Sequence, residues 1–574
     1  MGNNEGRATR GLMVFYCAAF VFVNAFVYNF ISRERYIYFW DYANYWEKYQ
    51  QLGDVMLHSP GQAFAAVWQS LRHEDYNLLP VLFLMPFRIL FGDSRLAYIL
   101  AIANVYVFPS AILCSVLVAR VLSPGGRKGF LYPAMGLLAF LLLPQVWVPV
   151  LFGYPDIAGV VVILLILSQL AAVPFETMRL GALLRLGLLL CILVLLRRWY
   201  AYWAVSFFIA LAAERSAALY RRQGFDVRKY IPAARKGILV GAVSLALFFL
   251  LAGPQAVTMI RTNYADIYSA YKTSRSLGEV ARTLYDYAGA LLSVSLVLGM
   301  TAGMIREHTR PLFIFLAVQS VTVILLFARV QDFNTHHFYL LIIPMALSVA
   351  MLLSAVLERI KYIPGRILVL AGFSMVMTVQ FVAVFVPDVA ARYHAAGVLM
   401  STFRHYPMVR NDLAEMHRLL DTVRKGSDEG EEGIYVVASS TILSDDILKN
   451  ACRAFQYPAR FCGRISHASH VDKRDGFPEE FLSARYVLVA EPVQYHLAPE
   501  SQRVVGILAD EVAGGKGIGA SFDRLPDAFT LDNNVHVHIY RKREPFAGGA
   551  LRDLERRFLE YYPDRKDIFA IRPR

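Results

Sequence analysis

What most constrains this chain is the recurrence of apolar runs close to the ~20 residues that a helix needs to cross a hydrocarbon core of roughly 30 Å. They fall at 11–31, 95–118, 129–144, 156–173, 179–196, 200–213, 237–253, 287–304, 311–328, 337–357 and 367–386. Lipid offers backbone amides no partner, so each run must satisfy its own hydrogen bonds and is read as a helix. The expected architecture is a polytopic α-helical membrane protein of about eleven spans. Composition agrees, because 56% hydrophobic and 18% charged residues over 574 positions is too apolar for a soluble chain of this length.

The positive charge is placed where helix orientation requires it. The segments "RVLSPGGRKG", "ERSAALYRRQGFDVRKYIPAARK", "REHTR" and "ERIKYIPGR" all thread to the same side as Arg7 and Arg10. That side is cytoplasmic by the positive-inside rule, and the first run reads as an uncleaved anchor because no small-residue cleavage site follows it. The net charge of +13 therefore meets anionic lipid, and no basic module points to nucleic acid. The expected setting is a multi-pass protein of the inner (cytoplasmic) membrane.

An odd number of spans puts everything after Pro387 outside. Two domains follow, a transmembrane module over 1–386 and an extracytoplasmic α/β domain over 387–574. In the latter, "GIYVVASSTILSDDILKNACRAF", "ARYVLVAEPV" and "VHVHIYRKRE" carry strand, turn and helix patterns. The Gly-rich "AGGKGIGAS" lacks the order of a phosphate loop and reads as a turn. Cys17, Cys114 and Cys191 lie in apolar runs as packing residues. Cys452 and Cys462 either pair across a short loop, given an oxidising compartment, or remain two thiols.

The first outer loop, 32–94, has the pattern of a helical layer lying on the membrane surface. In "PGQAFAAVWQSLRHEDYN" the residues Phe64, Val67, Trp68 and Leu71 share one helical face. The run "NLLPVLFLMPFRILFGD", interrupted by Pro80 and Pro86, reads as an interfacial or half-inserted helix.

Charges near the outer face should turn to a cavity or to each other. The acids there are Asp41, Glu74, Asp75, Asp156, Asp266 and Asp332, and the bases include Arg197, Arg198, Arg261, Lys272 and Arg329. Arg197 and Arg198 sit against the positive-inside trend, so they either hold a phosphate by charge-assisted hydrogen bonds or snorkel to headgroups. In "RVQDFNTHHFYLLIIP", Asp332, His336 and His337 either hydrogen-bond a substrate or build the loop. Adjacent histidines point in different directions, which disfavours a shared metal. Glu74, Asp75 and Asp156 have the positions of helix caps. Asp41 could cap "YANYWEKYQQL", but Trp40, Tyr42, Tyr45 and Trp46 around it would equally shape a binding groove.

Asp41 after the first span, "HEDYNLLPVLFLMPFRILFGDSRLAY" and "RVQDFNTHHFYLLIIP" together resemble the GT-C superfamily of membrane glycosyltransferases, particularly the branch with protein O-mannosyltransferases and lipid A aminoarabinose transferases. The resemblance covers about residues 10 to 390 by architecture. It implies a GT-C-like fold and transfer of a hexosyl or pentosyl group from a polyprenyl-phosphate-linked donor to a hydroxyl of an envelope glycan, lipid or protein on the outer face. It also implies Asp41 as base or acceptor-orienting group, with Glu74 and Asp75 as further catalytic candidates. Arg197, Arg198, Arg261, Lys272 and Arg329 would take the donor phosphate, and Tyr42, Tyr45, Trp46, Asp332, His336 and His337 would line the substrate site. Here Tyr42 follows Asp41 where many members have a second acid, and "DYNLLP" replaces a His-Pro-Pro-like stretch. No cofactor is expected, with a divalent metal left open. A transporter would need charged or broken helices near the midplane, and a non-enzymatic envelope assembly protein would use the aromatic loop as a docking face.

Overall fold

The computed structural model describes residues 2–123, 129–224, 228, 230–392, 399–426 and 433–571. Much of the basic loop at 120–129 and part of that at 214–236 lie outside these residues. The chain divides into two compact units. The first comprises Met1–Arg33, Asp41–Asn263 and Ser274–Pro407, and the second Glu34–Trp40, Tyr264–Thr273 and Met408–Arg574. The division thus falls at Pro407, beyond the 386/387 boundary read from hydropathy, and two short segments of the earlier sequence join the second unit.

In the first unit every apolar run of the sequence falls on a helix. Among the described residues eight helices are long and apolar enough to cross a membrane: Thr9–Ile31, Arg95–Leu122, Pro155–Ala172, Ile231–Arg261, Leu277–Ile305, Arg310–Ala328, Ile342–Arg359 and Ile363–Phe385. The run at 129–144 differs from a straight span. It ends in a break between Leu131–Leu141 and Pro144–Leu151, which are bent by 46°. Pro144 lacks the amide needed to continue the first helix but opens the second well. The remaining two runs become Leu180–Leu196, which is apolar but short, and Tyr200–Gln223, which turns polar toward its C-terminus.

Polar and small residues fix how these helices meet. Asn24 and Asn104 exchange side-chain hydrogen bonds of 3.1 and 2.8 Å between the first helix and a π-helical turn at Ala103–Val107. Gly299 packs so tightly on the backbone of Ser348 that an added Cβ would meet the Ser348 carbonyl oxygen at 1.9 Å. The close approach of Leu277–Ile305 to Ile342–Arg359 therefore depends on having no side chain there.

The first loop forms Asp41–His58 and Pro60–His73, then two short helices, Leu79–Leu82 and Met85–Phe91. The face of Pro60–His73 that turns inward is one step round from the expected one. Ala63, Val67, Ser70 and Leu71 are buried, whereas Phe64 and Trp68 are exposed. The small Ala63 and Ser70 let this helix lie close to its neighbours Asp41–His58 and Ile231–Arg261. Phe83, Ile89, Leu90 and Phe91 of the next stretch are exposed as well.

The second unit holds a four-stranded sheet of β1 (Gly433–Val437), β2 (Ala484–Glu491), β3 (Phe522–Leu531) and β4 (Val535–Lys542) in the order β1-β2-β4-β3. β1 and β2 are parallel, and β4 runs antiparallel to both β2 and β3. Val487 and Val489 of β2 pack with Leu508 and Val512 of the helix Arg503–Gly514. Gly515 ends that helix at φ 59°, which makes the Gly-rich stretch a helix cap and turn. Cys452 and Cys462 form a disulfide, resolving the open alternative in favour of pairing.

Candidate functional site

Asp41 is the first residue of Asp41–His58, where the free amides of a helix start favour a carboxylate. The Tyr76 hydroxyl lies 3.5 Å from Asp41 Oδ2. Behind Tyr76 stands Arg197, whose guanidinium carbon is 4.1 Å from the Tyr76 ring centre and 5.4 Å from that of Tyr45. Arg197 Nη1 donates to the Tyr45 hydroxyl at 3.3 Å. Its Nε lies 2.9 Å from Asp156 Oδ1, with Arg197 4% and Asp156 1% exposed. The pair is close but not aligned as a hydrogen bond, so its attraction is chiefly that of two charges in a dry environment. Arg197 thus pairs with Asp156 and packs over the ring of Tyr76, whose hydroxyl meets Asp41.

The chain around Asp41 is fixed by Arg95, the first residue of the helix that follows the outer loop. Buried Arg95 donates to the carbonyls of Tyr42 at 2.7 Å and Phe152 at 2.8 Å, tying the start of the Asp41 helix to the turn before Asp156. Tyr42 stacks on Phe152 with centroids 4.7 Å apart, and Trp46 donates to the Asp93 carbonyl at 2.8 Å. Tyr45 is buried, and burial pushes its hydroxyl pKa up, so it remains a neutral hydrogen-bonding group.

The other expected catalytic acids have specific partners. Glu74 pairs with Lys48 at 2.6 Å, and Asp75 is bound by Arg198 and Gln255. Neither caps the short helix that follows. Instead Asn77 accepts from the Leu79 amide at 2.9 Å and donates to the Leu195 carbonyl at 2.7 Å. Asp156 does not act as a cap through its side chain either, because that carboxylate faces Arg197.

The five bases have different surroundings. Arg197 is buried beside Asp156, Arg198 meets Asp75, and Arg261 and Arg329 are exposed at the ends of Ile231–Arg261 and Arg310–Ala328. Lys272 belongs to the second unit. In the loop before Ile342–Arg359, Asp332 accepts from the Ser274 amide at 3.0 Å, and His337 Nδ1 accepts from the Asn334 amide at 2.9 Å in a capping box. His337 is therefore neutral at Nδ1 and builds the loop. His336 is buried against Tyr154 with ring centres 4.6 Å apart, and its Nδ1 has no hydrogen-bond partner among the described residues. The sequence did not single out Tyr76, Arg95 or Tyr154. Tyr76 lies within the acidic "HEDYN", where a tyrosine has no distinguishing pattern.

This arrangement can accept a proton at a partly exposed carboxylate and stabilise negative charge with a buried guanidinium. No protein family and no curated protein matches the sequence. Solved structures do match in shape, among them two of one protein. ArnT from Cupriavidus metallidurans in the apo state aligns with a TM-score of 0.50 at 14% identity, over 93% of this chain and 98% of that one. The same protein bound to undecaprenyl phosphate aligns with a TM-score of 0.47 at 13% identity and the same coverage. The chain has the ArnT fold, a polytopic helical membrane module joined to a smaller domain with a sheet.

Proposed function

We propose that this protein is a GT-C glycosyltransferase that moves a hexosyl or pentosyl group from a polyprenyl-phosphate-linked donor to an acceptor hydroxyl of an envelope glycan, lipid or protein. The observation that carries the reading is Asp41, a partly exposed carboxylate at a helix start with Tyr76 beside it and the Arg197 cation behind. In the transfer the acceptor oxygen attacks the anomeric carbon, its proton passes to Asp41, and the bond from that carbon to the phosphate oxygen breaks. The polyprenyl phosphate leaves with the electron pair. Of the candidate bases, Arg261 and Arg329 are exposed and Arg198 is partly exposed, and Arg198 would exchange part of its contact with Asp75 for phosphate oxygen. Where these arginines supply the charge, no metal is required at the reacting oxygen. Tyr42, Tyr45 and Trp46 position the helix that carries Asp41.

The ArnT fold supports this reading, and the basic loops of the sequence favour an inner-membrane protein whose N-terminus is cytoplasmic. The Cys452–Cys462 disulfide supports an extracytoplasmic second unit, since such bonds persist in oxidising compartments. The test is transfer in nanodiscs by the purified protein, supplied with a panel of polyprenyl-phosphate sugars and envelope extracts as acceptor. Release of polyprenyl phosphate coupled to sugar incorporation is expected. Donor that stays intact with every acceptor, in protein shown to be folded, would reject the proposal.

A further inference from the structure

Within the second unit, Asp445 opens the helix Asp445–Ala454, and the segment "SHASH" brings His467 and His470 against it. Asp445 Oδ1 lies 2.8 Å from His470 Nε2, and Oδ2 lies 3.2 Å from His467 Nδ1. One donor atom from each residue lies within 4.8 Å of the others. Ligands arranged tetrahedrally at zinc–nitrogen and zinc–oxygen distances of about 2.0–2.1 Å would be separated by roughly 3.3 Å, so little movement is needed to admit an ion.

A second feature points into the same space. Asp445 and His470 are each 5% exposed, yet Asp445 Oδ1 and His470 Nε2 are not aligned as a hydrogen bond and have no other partner among the described residues. Two buried polar atoms facing each other without a bond are costly, and a cation between them would satisfy both. The support that a metal-bound imidazole needs is also present. His470 Nδ1 is 2.7 Å from Ser439 Oγ, so donation to that oxygen would leave the Nε2 lone pair directed at the site. The Ala468 amide donates to Asp445 Oδ2 at 3.2 Å and holds the carboxylate in place.

We propose that Asp445, His467 and His470 form a binding site for one zinc-like divalent cation. Two imidazole nitrogens and one carboxylate oxygen suit such an ion, and the exposed His467 leaves a fourth position for water and a route of entry. Bound there, the ion would fix 466–470 to the start of Asp445–Ala454. It would also steady Trp40, whose ring packs on His470 at 5.4 Å and whose amide donates to Asp446. The site is separate from the transfer chemistry and does not depend on it.

The test uses the full-length protein in nanodiscs, stripped with chelator and titrated with Co²⁺ as a spectroscopic probe and Zn²⁺ as a stabiliser. One Co²⁺ per chain is expected, with a visible absorption band, and Zn²⁺ should raise the melting temperature. Replacing the exposed His467 with Gln should leave the metal-free protein folded and lower Co²⁺ affinity by at least the roughly 10- to 100-fold that loss of an outer-shell partner costs. The Zn²⁺ stabilisation should disappear in the same variant. His417→Gln, at another exposed His–carboxylate pair, should change neither. No bound Co²⁺ in the wild type, equal affinity in His467→Gln, or an equal loss in His417→Gln would overturn the proposal.

Discussion

Arg197 and Asp156 form a buried ion pair at 2.9 Å, and the same guanidinium lies over the ring of Tyr76, whose hydroxyl meets Asp41. Removing one partner strands the other charge in a dry environment. Arg197→Met should therefore destabilise the protein by about 3–5 kcal/mol, while Arg197→Met with Asp156→Asn should recover much of that loss. Thermal unfolding of the wild type, Arg197→Met, Asp156→Asn and the double variant in one detergent reads the cycle. Equal stability of wild type and the single variant would show that the pair carries little.

Asp41→Asn keeps the size of the side chain and its ability to begin a helix, but it is a far weaker base. If Asp41 takes the acceptor proton, turnover should fall on the order of 100- to 10,000-fold with the melting temperature unchanged. Near-normal transfer by the folded variant would remove Asp41 from the proton transfer. Loss of activity together with stability would assign it to holding the helix start.

Arg198 gives a separate test of donor binding, because its partner Asp75 is itself held by Gln255. Arg198→Ala should raise the KM for the lipid-linked donor, and Arg198→Lys should restore part of the affinity, since the charge remains but the planar fork is lost. A donor KM unchanged in both variants would make the Asp75 contact purely structural.

In the second unit, Arg410 donates to both carboxylate oxygens of Asp412 at 2.9 and 2.7 Å. Burial opposes the charged form, but these hydrogen bonds and the Asp532 amide hold the Asp412 pKa below the usual carboxylate range. The folded protein therefore binds that proton less readily than the unfolded chain. The stabilisation is present above the unfolded value, near pH 4, and is lost as pH falls below it. Asp412→Asn should lower stability at pH 7 and flatten the melting-temperature profile between pH 5 and 3, as followed by scanning fluorimetry; an unchanged profile would contradict this role.

Orientation can be read at Lys516, which is exposed in the second unit. The natural Cys452 and Cys462 are buried and bonded, so they make poor reporters. Lys516→Cys should react with a membrane-impermeant maleimide on intact cells. Labelling only after lysis would reverse the proposed threading.

The spans were legible because hydropathy is local, and each apolar run needs only its own residues to become a helix. Pro144 in the third run was visible too, but a proline at the end of a span does not reveal that a second helix continues beyond it. The partnership of Arg197 with Asp156 was hidden for a different reason. Each residue has a sound local reading, a phosphate binder and a helix cap, and only the packing of Leu180–Leu196 against Pro155–Ala172 brings them together. The His467-x-x-His470 spacing was present in the sequence, but its third member, Asp445, lies far enough upstream to look like an ordinary first-turn acid.

The second unit draws on the two ends of the coding order. Glu34 and Met408 are hydrogen-bonded although 374 positions separate them, and Arg35 bridges to Val409. At a synthesis rate of roughly 5–20 residues per second, residues 34–40 emerge on the order of tens of seconds before their partners exist. Assembly of this unit is therefore a late, post-insertion event, and a fragment starting at Met408 would lack native edges at the places where 34–40 and 264–273 belong. Quality control of the nascent chain has a long interval in which the helices are complete and the domain is not.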